Sequence, residues 1–322
     1  LSKLLFSVCA EIFFELKNKN VNNSINLKIE FMVFFFVFNK NNNNYLINIE
    51  KKYLCRKKLN IIKQNWVLLI IISLIWGSSF ILIKKGLESF SFDQVATLRI
   101  FIASSFLSIL GFKYFFKIPR NKILPLFLNG LLGNGIPSFL FSKSEMYIDS
   151  GVVGILNVLT PLFTVLIGVL FFKVIVKPIN YIGIVLGLIG VIILISPNKF
   201  QLDLNNLKYI SFAILGTMLY GLSTNIIKEH LSDLNILQIA TISFFTIGPI
   251  SGVYLFNTDF IYIMKNDINA INSFLFVSIL AIFGSALSIL AFNKLVINSG
   301  PVFATSCTYF IPIVALIWGL ID

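Results

Sequence analysis

Long apolar runs follow one another from Trp66 to Leu320, separated by short polar links such as KIPRNK at 117–122 and KEHLSDLN at 228–235. Few folds tolerate that pattern. A helix rises about 1.5 Å per residue, so about 20 apolar residues cross a hydrocarbon core of about 30 Å. Nine runs qualify, at 66–83, 94–111, 123–142, 151–172, 179–195, 207–227, 236–256, 273–296 and 301–320. A chain that is 57% hydrophobic and 12% charged, with mean hydropathy +0.89, lies far outside the range of soluble domains, so each run is read as a membrane-crossing helix. The expected class is an all-α integral membrane protein whose surroundings are the lipid bilayer.

The order of the helices carries a second constraint. WGSSFILIKKGLESFSFDQVATLRIF at 76–101 returns without gaps, 144 residues later, as YGLSTNIIKEHLSDLNILQIATISFF at 220–245, with nine of 26 positions identical. Shared Ile and Leu would be cheap here, but the identities include Gly77/Gly221, Ser79/Ser223, Lys84/Lys228, Gln94/Gln238 and Thr97/Thr241. A second echo relates IDSGVVGILNVLTPLFTVLIG at 148–168 to INSGPVFATSCTYFIPIVALIWG at 297–319, pairing Pro161 with Pro312. The first and sixth runs stand five crossings apart, an odd number, so they traverse the membrane in opposite directions. The expectation is two inverted five-helix repeats, residues 66–195 and 207–322, the plan of many carriers. Nine helices are present; a ten-helix plan calls for one more after Asp322, so the chain is expected to be truncated at its C-terminus.

Lys and Arg in short loops stay preferentially on the cytoplasmic side. With the N-terminus inside, 14 fall inside and six outside, a bias confined to the first half. Residues 1–65 form a basic, low-complexity leader that opens on Leu1 and includes NKNNNN at 39–44. It is expected to be disordered, or to be upstream sequence outside the mature protein. The leader accounts for much of the net charge of +12, so no nucleic-acid partner is required.

The quoted segments of the first and second runs, with ILNVLTPLFTVLIGVLFF at 155–172, GIVLGLIGVIILI at 183–195 and TYFIPIVALIWGL at 308–320, resemble the EamA-type transporters of the drug/metabolite transporter superfamily. That resemblance implies ten helices in two inverted repeats and a central cavity worked by alternating access. It also implies export or exchange of small metabolites or amino acids across the cell membrane. A second copy of the chain is a candidate partner. Two alternatives stand beside it: a sensor or structural protein with the same fold, and an integral membrane enzyme. The enzyme lacks support, because no nucleophile and base, metal-ligand cluster or carboxylate motif is visible. No cofactor or metal is expected.

In inverted-repeat carriers the site lies near the bilayer midplane, where Gly and Pro interrupt helices and free backbone groups. The densest breaker cluster is NGLLGNGIPSFLFS at 129–142, which nominates Asn134 and Pro137. Asn157 and Thr160 form a polar notch in the fourth run. Ser285, Ser288, Thr308 and Tyr309 are the counterparts in the eighth and ninth, and the repeat mates Trp76 and Tyr220 supply aromatic walls. Each has a plainer reading as helix packing or an interhelical hydrogen bond. Arg99 is a candidate anion contact, against the alternative that it snorkels to the interface. No Asp or Glu falls within the nine runs, so facilitated exchange is the expected mode.

Overall fold

In the computed structural model the described residues are 43–175, 181–183, 185, 186, 189, 190 and 207–321, and all their regular structure is helical. The chain forms two compact units, Leu1–Lys63 and Gln64–Asp322. Of the first, residues 43–63 are described, as helix.

Eight helices are long and apolar enough to cross a membrane: α1 (Ile62–Gly86), α2 (Phe92–Lys117), α3 (Arg120–Glu145), α4 (Ser150–Phe172), α5 (Leu207–His230), α6 (Ile236–Phe256), α7 (Ala270–Ser299) and α8 (Pro301–Trp318). They correspond to the expected runs except the fifth, 179–195, most of which lies outside the described residues. Helix starts follow from local chemistry. Asp149 accepts a hydrogen bond from Gly151 N at 2.8 Å, and Asn235 accepts one from Leu237 N at 2.9 Å, each satisfying an amide that the first turn leaves unpaired. Large apolar side chains face outward, including Ile109, Phe116, Phe171 and Ile250, an exposure that fits lipid and not water.

The repeat shows in the packing. α2 and its copy α6 form the most extensive helix pair, with Thr241 Oγ1 donating to Leu107 O at 3.2 Å. The first helix of each half packs with the other half. A Cβ on Gly77 in α1 would stand 2.5 Å from Val314 Cβ in α8, and one on Gly221 in α5 would stand 2.8 Å from Thr164 N in α4. Two bundles result, one holding α1 with α7 and α8, the other α5 with α3 and α4.

The irregularities repeat too. α3 contains a π-helical segment at Leu131–Gly135 and α7 one at Leu280–Leu287. α4 tightens into a 3₁₀ turn at Asn157–Leu159 and α8 at Ser306–Tyr309, each just before a proline, Pro161 or Pro312. Such segments leave the regular i to i−4 ladder and cluster at functional positions.

The apolar runs hold no Asp or Glu, but one helix reaches a carboxylate beyond its run. α3 runs a turn beyond the apolar stretch and ends at Glu145, 9% exposed, with neither carboxylate oxygen hydrogen-bonded. A carboxylate therefore does lie within a membrane-length helix. The apolar run at 123–142 ends before the helix does, because Ser144, itself buried, is tied to Tyr209 O of α5 at 2.9 Å.

Candidate functional site

A cavity of roughly 860 Å³, counting its open mouth, is lined from every described span except α6. Its place follows from the interrupted helices: both π segments, the 3₁₀ turn of α4 and that of α8 contribute to its wall. α1 supplies Trp76, Ser79, Phe80 and Ile83; α2 supplies Arg99; α3 supplies Asn129, Gly133, Asn134 and Phe141. Asn157 and Thr160 come from α4, and Tyr220, Ser223, Thr224 and Ile227 from α5. α7 adds Gly284, Ile289, Phe292 and Asn293, and α8 adds Thr305 and Thr308.

The aromatic walls obey the repeat. Trp76 meets Phe292 at 5.1 Å between ring centroids, and Tyr220 stacks on Phe141 at 5.5 Å with an interplanar angle of 16°. Since Trp76 and Tyr220 are mates, Phe292 of α7 and Phe141 of α3 must be mates as well. The glycines agree: Gly284 abuts Ser79 and Gly133 abuts its mate Ser223, and each glycine stands eight residues before its phenylalanine.

Polar groups divide into occupied and open ones. Trp76 Nε1 donates to Gly284 O at 3.0 Å, a carbonyl in the π segment. Asn129 Nδ2 donates to Ser243 Oγ at 2.9 Å while its Oδ1 accepts from Ser223 Oγ at 2.6 Å, so both ends of that amide are satisfied. Thr160 Oγ1 donates to Asn157 Oδ1 at 2.9 Å, and Thr308 Oγ1 donates to Thr305 O at 2.9 Å. Among the described residues, the Asn134 amide, Asn157 Nδ2 and the Tyr220 hydroxyl make no such bond. Arg99 donates through Nε alone, to Ser285 Oγ at 2.6 Å, which leaves its terminal nitrogens open. Tyr220 lies within electrostatic reach of it.

Of the residues nominated from sequence, Trp76, Asn134, Asn157, Thr160, Tyr220, Thr308 and Arg99 line the cavity. Arg99 does not snorkel: Ser285 of the facing α7 holds its side chain inward. Ser285 thus positions Arg99 and is not itself on the lining. Ser288 donates to Phe283 O at 2.5 Å, inside the π segment. Pro137 is buried in α3, and Tyr309 packs with Ile155 and Val158 of α4. Sequence reasoning missed Asn129, Asn293 and the partners Phe141 and Phe292. A third echo would have found the last three, since GNGIPSFLFS at 133–142 aligns with GSALSILAFN at 284–293.

A multi-pass helical protein with an aromatic and polar cavity enclosed between two repeat-related bundles has the architecture of a small-molecule carrier. The EamA-like transporter family matches residues 64–196 and 207–321, and the chain belongs to that family. The uncharacterized inner membrane transporter YedA of Escherichia coli is 28% identical over 259 residues, 76% of this chain and 78% of that protein. A probable amino-acid metabolite efflux pump of the same organism is 27% identical over 42% of this chain and 44% of the pump. A protein of known crystal structure shares the fold at 12% identity, with a TM-score of 0.60 over 80% of this chain and 88% of the other.

Proposed function

We propose that this transporter carries small organic metabolites, amino acids among them, out of the cell or in exchange. It works by alternating access in the cell membrane with its N-terminus in the cytoplasm. The observation that carries the reading is the open side of Arg99: a planar fork in a cavity walled by Trp76, Phe80, Phe141, Tyr220 and Phe292, suited to a carboxylate on an organic body. The Asn134 amide, Asn157 Nδ2 and the Tyr220 hydroxyl add contacts that the fold does not use. The bundles support the cycle, because two inverted halves that exchange their first helices can rock about α2 and α6 and open the cavity to either side. The name of the efflux-pump relative points to the same substrate class.

The test is flux of a panel of labelled L-amino acids from proteoliposomes holding the full chain, with Arg99→Gln beside it. Saturable flux lost in the variant is expected. A correctly inserted protein that moves none of the panel would favour the alternative of a sensor or structural protein with the same fold.

Glu145 favours one alternative to passive exchange. It lies within electrostatic reach of Arg99, and an intramembrane carboxylate is the group by which a carrier can take a proton along. Flux that collapses with the proton gradient in the native chain but not in Glu145→Gln would establish coupling. Flux indifferent to the gradient in both would leave exchange.

A further inference from the structure

Asn293 stands apart from the other cavity asparagines. It is 0% exposed, it is one of the residues around the cavity, and neither Nδ2 nor Oδ1, both fully covered, has a hydrogen-bond partner. The fold satisfies its structural amides: Asn129 is bonded at both ends, and Asn225 Nδ2 donates to Thr164 O at 2.9 Å and to Gly221 O at 2.8 Å. An amide buried with both ends unmade destabilises a protein relative to a leucine of similar size, so keeping one at a cavity wall calls for a use outside the folded chain.

The repeat locates that use. With Phe292 and Phe141 as mates, the next positions, Asn293 and Ser142, are mates too. Positions shared by the halves serve the scaffold, and here the halves differ in the group they bury without a partner, a hydroxyl at Ser142 and an amide at Asn293. The two ends of the amide then define the ligand. A carboxylate would satisfy Nδ2 and confront Oδ1 with a second acceptor; an ammonium would do the reverse. A neutral group that offers a donor and an acceptor side by side satisfies both from one functional group.

We propose that Asn293 is a specificity-determining residue that reads a carboxamide, or a group of the same donor and acceptor pattern, on a substrate whose anionic end lies at Arg99. The proposal rests on the carrier reading and narrows its substrate class. Movement of the bundles past one another uncovers the amide, which is fully covered in this conformation, to that end of the substrate.

The experiment uses the full chain, Asn293→Leu and Asn293→Ser, the last installing the residue of the first half. Melting temperature is measured without ligand, and efflux of L-glutamine is compared with that of L-methionine, of similar length but without the carboxamide. The native chain is expected to prefer glutamine by about tenfold or more, since a site built around a polar group rejects the analogue lacking it. Asn293→Leu is expected to abolish the preference and to melt higher than the native chain; Asn293→Ser is expected to weaken the preference. A lower melting temperature for Asn293→Leu would assign the amide a structural partner and overturn the proposal. So would a glutamine preference unchanged in both variants, or a native chain that carries other amino acids without preferring glutamine. A native chain that carries no amino acid at all overturns the carrier reading itself, and this assignment with it.

Discussion

Gly221 and Asn129 show how single residues beside the cavity serve the scaffold. Gly221 has no room for a methyl: its Cβ would stand 2.8 Å from Thr164 N, a backbone atom that cannot swing aside. Gly221→Ala is therefore expected to destabilise the protein by about 1 to 3 kcal/mol, read as a lower melting temperature in detergent. Asn129→Ala strands the buried hydroxyls of Ser223 and Ser243, which the amide now joins, and is expected to cost about 1 to 3 kcal/mol by the same measurement. An unchanged melting temperature would show that these hydroxyls find other partners. Gly221 was legible in the sequence because its mate is Gly77. Asn129 was not, because its value comes from two serines on other helices, 94 and 114 residues away, and no local pattern reports that distance.

At the scale of the element, what the sequence shows well is where helices are interrupted. Gly130, Gly133, Gly135 and Pro137 announce the π segment of α3, and Pro161 and Pro312 follow the 3₁₀ turns of α4 and α8. What it does not show is which helices meet. Helical periodicity names a face, but nothing in α1 says that Gly77 will lie on Val314 of α8, in the other half. That exchange can be tested by a double-mutant cycle. Gly77→Ala should destabilise by forcing its methyl against Val314, and adding Val314→Ala should recover part of the loss, with an interaction of about 0.5 to 3 kcal/mol. Simple additivity would mean that the two helices do not touch as described. Glu145 teaches the complementary lesson: hydropathy locates the apolar part of a helix, while its end is set by contacts such as Ser144 to Tyr209 O.

For the whole molecule the repeat, its helices and its family were legible, whereas the pairing of bundles across the halves was not. The end where α3 starts and α5 ends is tied by Lys122, whose Nζ reaches Asp233 Oδ1 and His230 O, both at 2.7 Å. The hydrogen bond from Lys122 holds the Asp233 carboxyl below the usual carboxylate range. Its contribution is thus fully present above that range and fades as pH falls through the lowered value; with Asp233 61% exposed it is screened and small, at most about 1 kcal/mol. Asp233→Asn should therefore leave stability at neutral pH nearly unchanged and flatten part of its acid limb. The same end carries Lys117, Arg120, Lys122 and Lys228, and the proposed orientation puts it in the cytoplasm by the positive-inside rule. Replacing Cys9 and Cys55 by serine, and keeping the buried Cys307, gives a background for single cysteines at the exposed positions Arg120, Ser232, Glu88 and Asn266. An impermeant maleimide added to intact cells should label Glu88→Cys and Asn266→Cys, and should reach Arg120→Cys and Ser232→Cys only after the membrane is opened. Because Glu88 follows α1 while Ser232 follows its copy α5, labelling from opposite sides is the direct mark of inversion; labelling of both from one side would abolish the inverted repeat and, with it, the alternating-access cycle built on it.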